Sequence, residues 1–192
     1  MIDWKNVNGF SKAEFAPAKD KEGDVLTDTT LCYLNESWDM HPCLIGKAQE
    51  LRSKPNEYHA TRIIVSKNGG FAYTGHADHS LHYCLFEESV KSNNNVDIGR
   101  AMDFHYKNIV GLWPWYEAAM FTWKHIDERF GLGFYPYSNT GFVHLDYRKD
   151  VEGRHPAVWW RDKNGKYRTY PFYQFPLAIK EAFDEINNSN PA

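Results

Sequence analysis

The chain has 192 residues, a formal net charge of −3, 42% hydrophobic residues and 24% charged ones. These are ordinary globular values for a length that can bury a sizeable core, and they argue against the basic stripe of a nucleic-acid-binding domain. No apolar run approaches the ~20 residues of a membrane span, and three cysteines (Cys32, Cys43, Cys84) without metal-knuckle spacing argue against a disulfide framework.

One domain is the expectation at this length. Residues 1–25 are polar with scattered aromatics and read as an extended lead-in. Within it, Ser11 followed by Glu14 fits a capping box for one short helical turn. From Thr27 to Trp38, apolar residues recur at helical spacing (Leu31, Leu34, Trp38). After Pro42, the set Leu44, Ala48 and Leu51 predicts a second helix with proline near its start. Thr61–Ser66 is β-branched and reads as a strand ended by Gly69-Gly70. Gly75–Ser80 is polar and histidine-rich, hence loop, and the asparagine-rich stretch 87–97 reads as an exposed insertion.

Ile98–Tyr106 alternates, with Met102, Phe104 and Tyr106 on one face and Asp103 and His105 on the other. Pro114 opens a helix whose stripe runs through Trp115, Ala118, Ala119, Trp123, Ile126 and Phe130, with Gly131 as its stop. Phe142–Tyr147 alternates again and sets His144 and Asp146 on one face. Val158–Arg161 and Tyr167–Tyr170 read as a hairpin turned at Asn164-Gly165. A terminal helix runs from about Pro176 to Ile186. Helices lead and strands then dominate, so the class is α+β with an antiparallel sheet flanked by helices.

The aromatic content, 16%, fits either an aromatic-rich core or a groove for sugar or peptide contact. Trp113-Pro114-Trp115 and Trp159-Trp160 are the candidates for such a groove, against ordinary packing. Chemistry concentrates elsewhere. Of nine histidines, His76, His79 and His82 cluster beside Asp78. Two imidazoles and a carboxylate, His82, Asp103 and His144, could make a three-ligand zinc site with a fourth position open for water. The plainer alternative is a set of polar loop and rim residues without metal. Cys84 as a nucleophile and His105 as a substitute ligand are weaker candidates.

Ser80-Leu81-His82-Tyr83 followed by Gly99-Arg100-Ala101-Met102-Asp103 resembles the Ser-x-His…Gly-x-Ala-x-Asp signature of the M15 zinc peptidases. These are D-alanyl-D-alanine carboxypeptidases and peptidoglycan endopeptidases, and the hedgehog signalling domain shares their fold. Phe142-Val143-His144-Leu145-Asp146 resembles the block that supplies the last zinc ligand in a branch common in phage and prophage proteins. The resemblance is best over residues 61–147. It implies a hedgehog/DD-peptidase-like fold and zinc held by His82, Asp103 and His144. It implies that His76 hydrogen-bonds the water or a transition-state oxygen. The substrate would be a peptidoglycan peptide.

The chain departs from the family in three places. The interval from His82 to Asp103 is long, its excess falling in the asparagine-rich stretch. Many members carry the catalytic acid three residues before the last histidine, where this chain has Gly141. Asp146 is the substitute candidate, either as that acid or as a carboxylate that orients a ligand histidine. The family's arginine is replaced by Lys67 or Arg62 as a candidate substrate contact. A non-catalytic zinc-binding recognition module, or a phage structural component, is the alternative function. The N-terminal residues lack the apolar core of a signal peptide. The expectation is therefore cytoplasmic synthesis of a monomer that acts at the cell wall if released.

Overall fold

Pro42 sets the first helix. In the computed structural model, helix α1 spans Pro42–Ser53, with proline in its first turn and the His41 side chain accepting from the Cys43 N–H. The fixed φ of proline suits that position, and the imidazole satisfies one of the orphan donors of a helix start. Leu44, Ile45, Ala48 and Leu51 are its buried residues, at the spacing expected. The structure describes residues 2–17, 38–54, 62–66, 69–72, 81–82, 97–149, 151 and 153–189. The helix expected over Thr27–Trp38 lies outside these residues except for Trp38. So do the Gly75–Ser80 loop and all but Asp97 of the 87–97 insertion.

The strands are β1 (Trp38–Met40), β2 (Arg62–Val65), β3 (Asp97–Gly99), β4 (Ala101–Lys107), β5 (Phe130–Phe134), β6 (Val143–Tyr147), β7 (Ala157–Arg161) and β8 (Tyr167–Pro171). Helix α2 is Trp115–His125 and helix α3 is Phe175–Ser189. Strands β1 and β3 pair in parallel. The other six form one sheet in the order β2-β4-β6-β5-β7-β8. Its β5–β6 and β7–β8 pairs are antiparallel and its β5–β7 pair is parallel. The class is therefore α+β with a mostly antiparallel sheet, as expected. The parallel pair is the exception. Among the described residues no helix is long and apolar enough to cross a membrane.

The chain gathers into two compact units, Met1–Lys54 with Val65–Phe104, and Pro55–Ile64 with His105–Ala192. In the first, the described part of the lead-in holds two short 3-10 turns, Trp4–Asn6 and Lys12–Phe15. The Glu14 carboxylate accepts from the Ser11 N–H at 2.8 Å, as the capping box requires. Phe10 and Phe15 are buried, and their rings meet at 5.6 Å. Asp39 is buried too, and its carboxylate accepts from the Ile2 N–H and the Trp4 indole. A buried charge of this kind needs such donors.

In the second unit, α2 packs on β5 and β6, and α3 packs on β7 and β8. Trp115 stacks on Phe134, and Trp123 stacks on Phe175. The sequence pattern carries α2 on to Phe130, but the helix stops at His125. Asp127 is the cause. Its carboxylate accepts from the Arg129 N–H and its carbonyl from the Phe130 N–H, which closes a turn in place of another helical one. Gly131, expected as the helix stop, instead lies inside β5.

The β7–β8 hairpin forms as predicted, in register from Ala157 opposite Pro171 to Arg161 opposite Tyr167. Its turn is held by Asp162, whose carboxylate accepts from the N–H groups of Asn164 and Lys166. The Lys166 N–H, helped by that of Asn164 and by the Arg168 charge, holds the Asp162 carboxyl below its ordinary value of 3.8 despite some opposing desolvation. A carboxylate with a lowered folded value stabilises the fold above its ordinary value, and that contribution is lost as pH falls through the lowered one. Asp162→Ala should therefore lower the urea midpoint at about pH 7, and the gap from wild type should narrow as pH falls below 3.8. A gap that stays constant through that fall would show that the turn does not depend on the ionised carboxylate.

Candidate metal centre

Strand alternation fixes which side chains meet. In β4, Met102, Phe104 and Tyr106 are buried, while Asp103 and His105 point the other way and are only half-buried. In β6, Val143, Leu145 and Tyr147 share one face and His144 and Asp146 the other. Strands β4 and β6 are neighbours in the sheet.

His82 is held by its backbone and by its ring. The His82 carbonyl accepts from the Ala72 N–H, and the Leu81 carbonyl accepts from the Arg100 N–H. Its Nδ1 lies 2.8 Å from the Gly70 carbonyl oxygen. A carbonyl only accepts, so Nδ1 carries a proton and Nε2 is the nitrogen turned to the group. That Nε2 lies 3.5 Å from Asp103 Oδ2. Asp103 is fixed in turn, its N–H donating to the Gly69 carbonyl and its own carbonyl accepting from the Ser66 N–H. The Gly69-Gly70 step thus meets the Asp103 backbone through one carbonyl and the His82 imidazole through the next.

His82, Asp103 and His144 each offer one ligand atom, and these atoms lie within 4.8 Å of one another. The group could hold a metal ion. His82 is 2% exposed and His144 is 9% exposed, while Asp103 is half-buried.

Around His144 the second unit builds a support. His144 Nε2 lies 3.3 Å from Asp146 Oδ2. Arg148 grips the same carboxylate at two points, Nε to Oδ1 at 2.6 Å and Nη2 to Oδ2 at 3.0 Å, and its Nη1 donates to the His155 carbonyl. Burial pushes the Asp146 carboxyl up, but the His144 hydrogen bond and the Arg148 charge outweigh it and bring it down to about 2. Trp159 meets the His144 ring edge-on at 5.2 Å and carries the Arg148 guanidinium 4.5 Å above its own ring.

Strand β5 makes room for this. Gly131 sits opposite Asp146, and Gly133 sits opposite His144 on one side and Trp159 on the other. A Cβ on Gly133 would come 2.5 Å from the Trp159 indole nitrogen, and one on Gly131 would collide with Arg148 and Asp146. The two glycines are a trough in which the indole and the guanidinium lie.

Of the residues expected at the site, His82, Asp103 and His144 are brought together and Asp146 lies beside them. Arg62 is on β2 and exposed. His76, Lys67 and Cys84 lie outside the described residues. His105 turns its Nδ1 to the Thr140 carbonyl at 2.9 Å. Sequence reading passed over Arg148 and the glycines of β5. Continuing the alternation of β6 by one step, from His144 and Asp146 to Arg148, would have found the arginine. No family model matches the chain, and no curated protein and no solved structure matches it either.

The trough makes a stability prediction. Gly131→Ala should cost about 1–3 kcal/mol, because Arg148 and Asp146 must move to admit the methyl group. Gly46→Ala is the control. Gly46 lies within α1 with nothing near its Cβ direction, so alanine there should stabilise by about 0.5–1 kcal/mol. Urea unfolding of both variants checks the pair, and a neutral Gly131→Ala would mean that the support yields freely.

Proposed function

We propose that this protein is a zinc-dependent peptidase of M15 type that hydrolyses peptide bonds in peptidoglycan stem peptides, next to D-alanine. The observation that carries the proposal is the convergence of His82, Asp103 and His144. The donor set fits zinc, which takes nitrogen and oxygen ligands and keeps an open position when three come from protein. The 3.5 Å between His82 Nε2 and Asp103 Oδ2 is close to the ~3.4 Å that separates two donors of a tetrahedral shell. Zinc held there would lower the pKa of a water toward ~7 and polarise the scissile carbonyl.

The chain's own groups do the rest. The backbone anchors on His82 and Asp103 keep both donors in place without reorganisation. His76 is the proposed hydrogen-bond partner of the attacking water or of the transition-state oxygen, and Lys67 or Arg62 the proposed contact for a substrate carboxylate. Asp146, with both oxygens engaged, is better suited to orienting His144 than to taking a proton. The protein would reach the wall after release from the cell, in a phage or prophage setting.

A second reading is favoured by two observations. Gly141 has φ +59°, and a Cβ there would come 2.5 Å from the Trp113 carbonyl oxygen, so the position where relatives of this type carry their acid takes no side chain. Asp146 is tied to Arg148. A zinc-binding recognition module, or a virion component with the same site, would need no such acid.

Mass spectrometry of peptidoglycan incubated with the zinc-loaded protein, with and without chelator, separates the two. Stem-peptide fragments that disappear with chelator, and in His144→Ala, are expected. No fragments from a folded protein that holds one zinc would favour the recognition module. Full activity in His144→Ala would end the zinc-peptidase reading.

A further inference from the structure

Arg148 stands just past the end of β6, yet its side chain turns back along the strand rather than into solvent. Its fork is spent on one carboxylate, at 2.6 and 3.0 Å, and its third contact is a backbone carbonyl. The guanidinium lies over Trp159, and Gly131 leaves it the space. A two-point fork is the geometry that confers orientation as well as charge. Asp146 has no freedom left except toward His144, 3.3 Å away. A carboxylate accepts and does not donate, so the bond puts the proton on His144 Nε2 and leaves the lone pair on Nδ1.

We propose that Arg148 is a positioning residue for the metal group: through its fork on Asp146 it fixes the tautomer and the ring plane of His144, and so sets how tightly the protein holds a divalent cation. The inference rests on the metal reading of His82, Asp103 and His144. It does not depend on whether the protein hydrolyses anything. Partners that orient a ligand histidine are commonly worth 10–100-fold in metal affinity.

The test is a double-mutant cycle on zinc affinity, read by competition with a chromophoric chelator on the full chain. Arg148→Gln and Asp146→Asn should each weaken zinc binding about 10–100-fold. The double variant should be no weaker than the worse single one, because both act along one path to His144. Arg148→Lys, which keeps the charge and loses the fork, should recover only part of the affinity. Wild-type affinity in Arg148→Gln, or additive losses in the double variant, would overturn the proposal. If Arg148→Gln fails to fold by circular dichroism, Asp146→Asn and Arg148→Lys decide, and wild-type affinity in both would overturn it. A wild-type protein that binds no zinc, or binds it equally well as His144→Ala, would instead remove the metal reading itself and this inference with it.

Discussion

The two-residue period of the β-strand is the constraint on which the rest depends. From Met102 in β4 and throughout β6, apolar buried residues alternate with residues that can bind or ionise. A slip of one residue in either strand would put Asp103 or His144 among Phe104, Leu145 and their neighbours, and expose the apolar set instead. The placement of the ligand-type side chains and the apolar packing are therefore specified by the same register.

That arrangement places charge where water is scarce, and the structure compensates locally. Asp146 is almost fully buried, and an isolated carboxylate in such a place would be neutral or would unfold the strand. Arg148 and His144 between them keep it ionised. The guanidinium in turn needs a surface, which Trp159 supplies as a ring face and β5 supplies by omitting two side chains. The first unit solves the same problem by other means. There the Gly70 carbonyl meets the His82 ring and the Gly69 carbonyl accepts from the Asp103 N–H. Backbone bonds fix the Asp103 main chain, whereas a two-point guanidinium fork fixes the Asp146 carboxylate itself.

Much of this was legible in residue patterns, and the failures have physical causes. Alternation disclosed β4 and β6 and the faces of their polar residues. Asn164-Gly165 disclosed the hairpin, because the turn demands a positive φ and Gly165 has φ +79°. Pro42 disclosed α1. Strand β5 was hidden. Its Phe130 continued the helical stripe of α2, its Gly131 suggested a stop, and only the Asp127 turn breaks the period. The three-residue pairing of β1 with β3 is too short for any pattern to carry. The site was read as a ligand set because histidine and aspartate advertise themselves. Its support was not, because glycine and arginine are common and act here only through what lies opposite them across strands.

The same distinction bears on chemistry. A group that takes a proton from water needs a free lone pair and an affinity for the proton near the working pH. Asp146 lacks the second, with its carboxyl at about 2, and three hydrogen bonds already engage its two oxygens. An orienting group needs the opposite, to stay ionised and to stay still, and the fork, the indole and the glycine trough provide that. The position of Gly141 excludes the other local carboxylate by geometry, since its backbone is left-handed and its Cβ direction is filled by the Trp113 carbonyl. Sequence neighbours of His144 thus serve the ligand and not the proton.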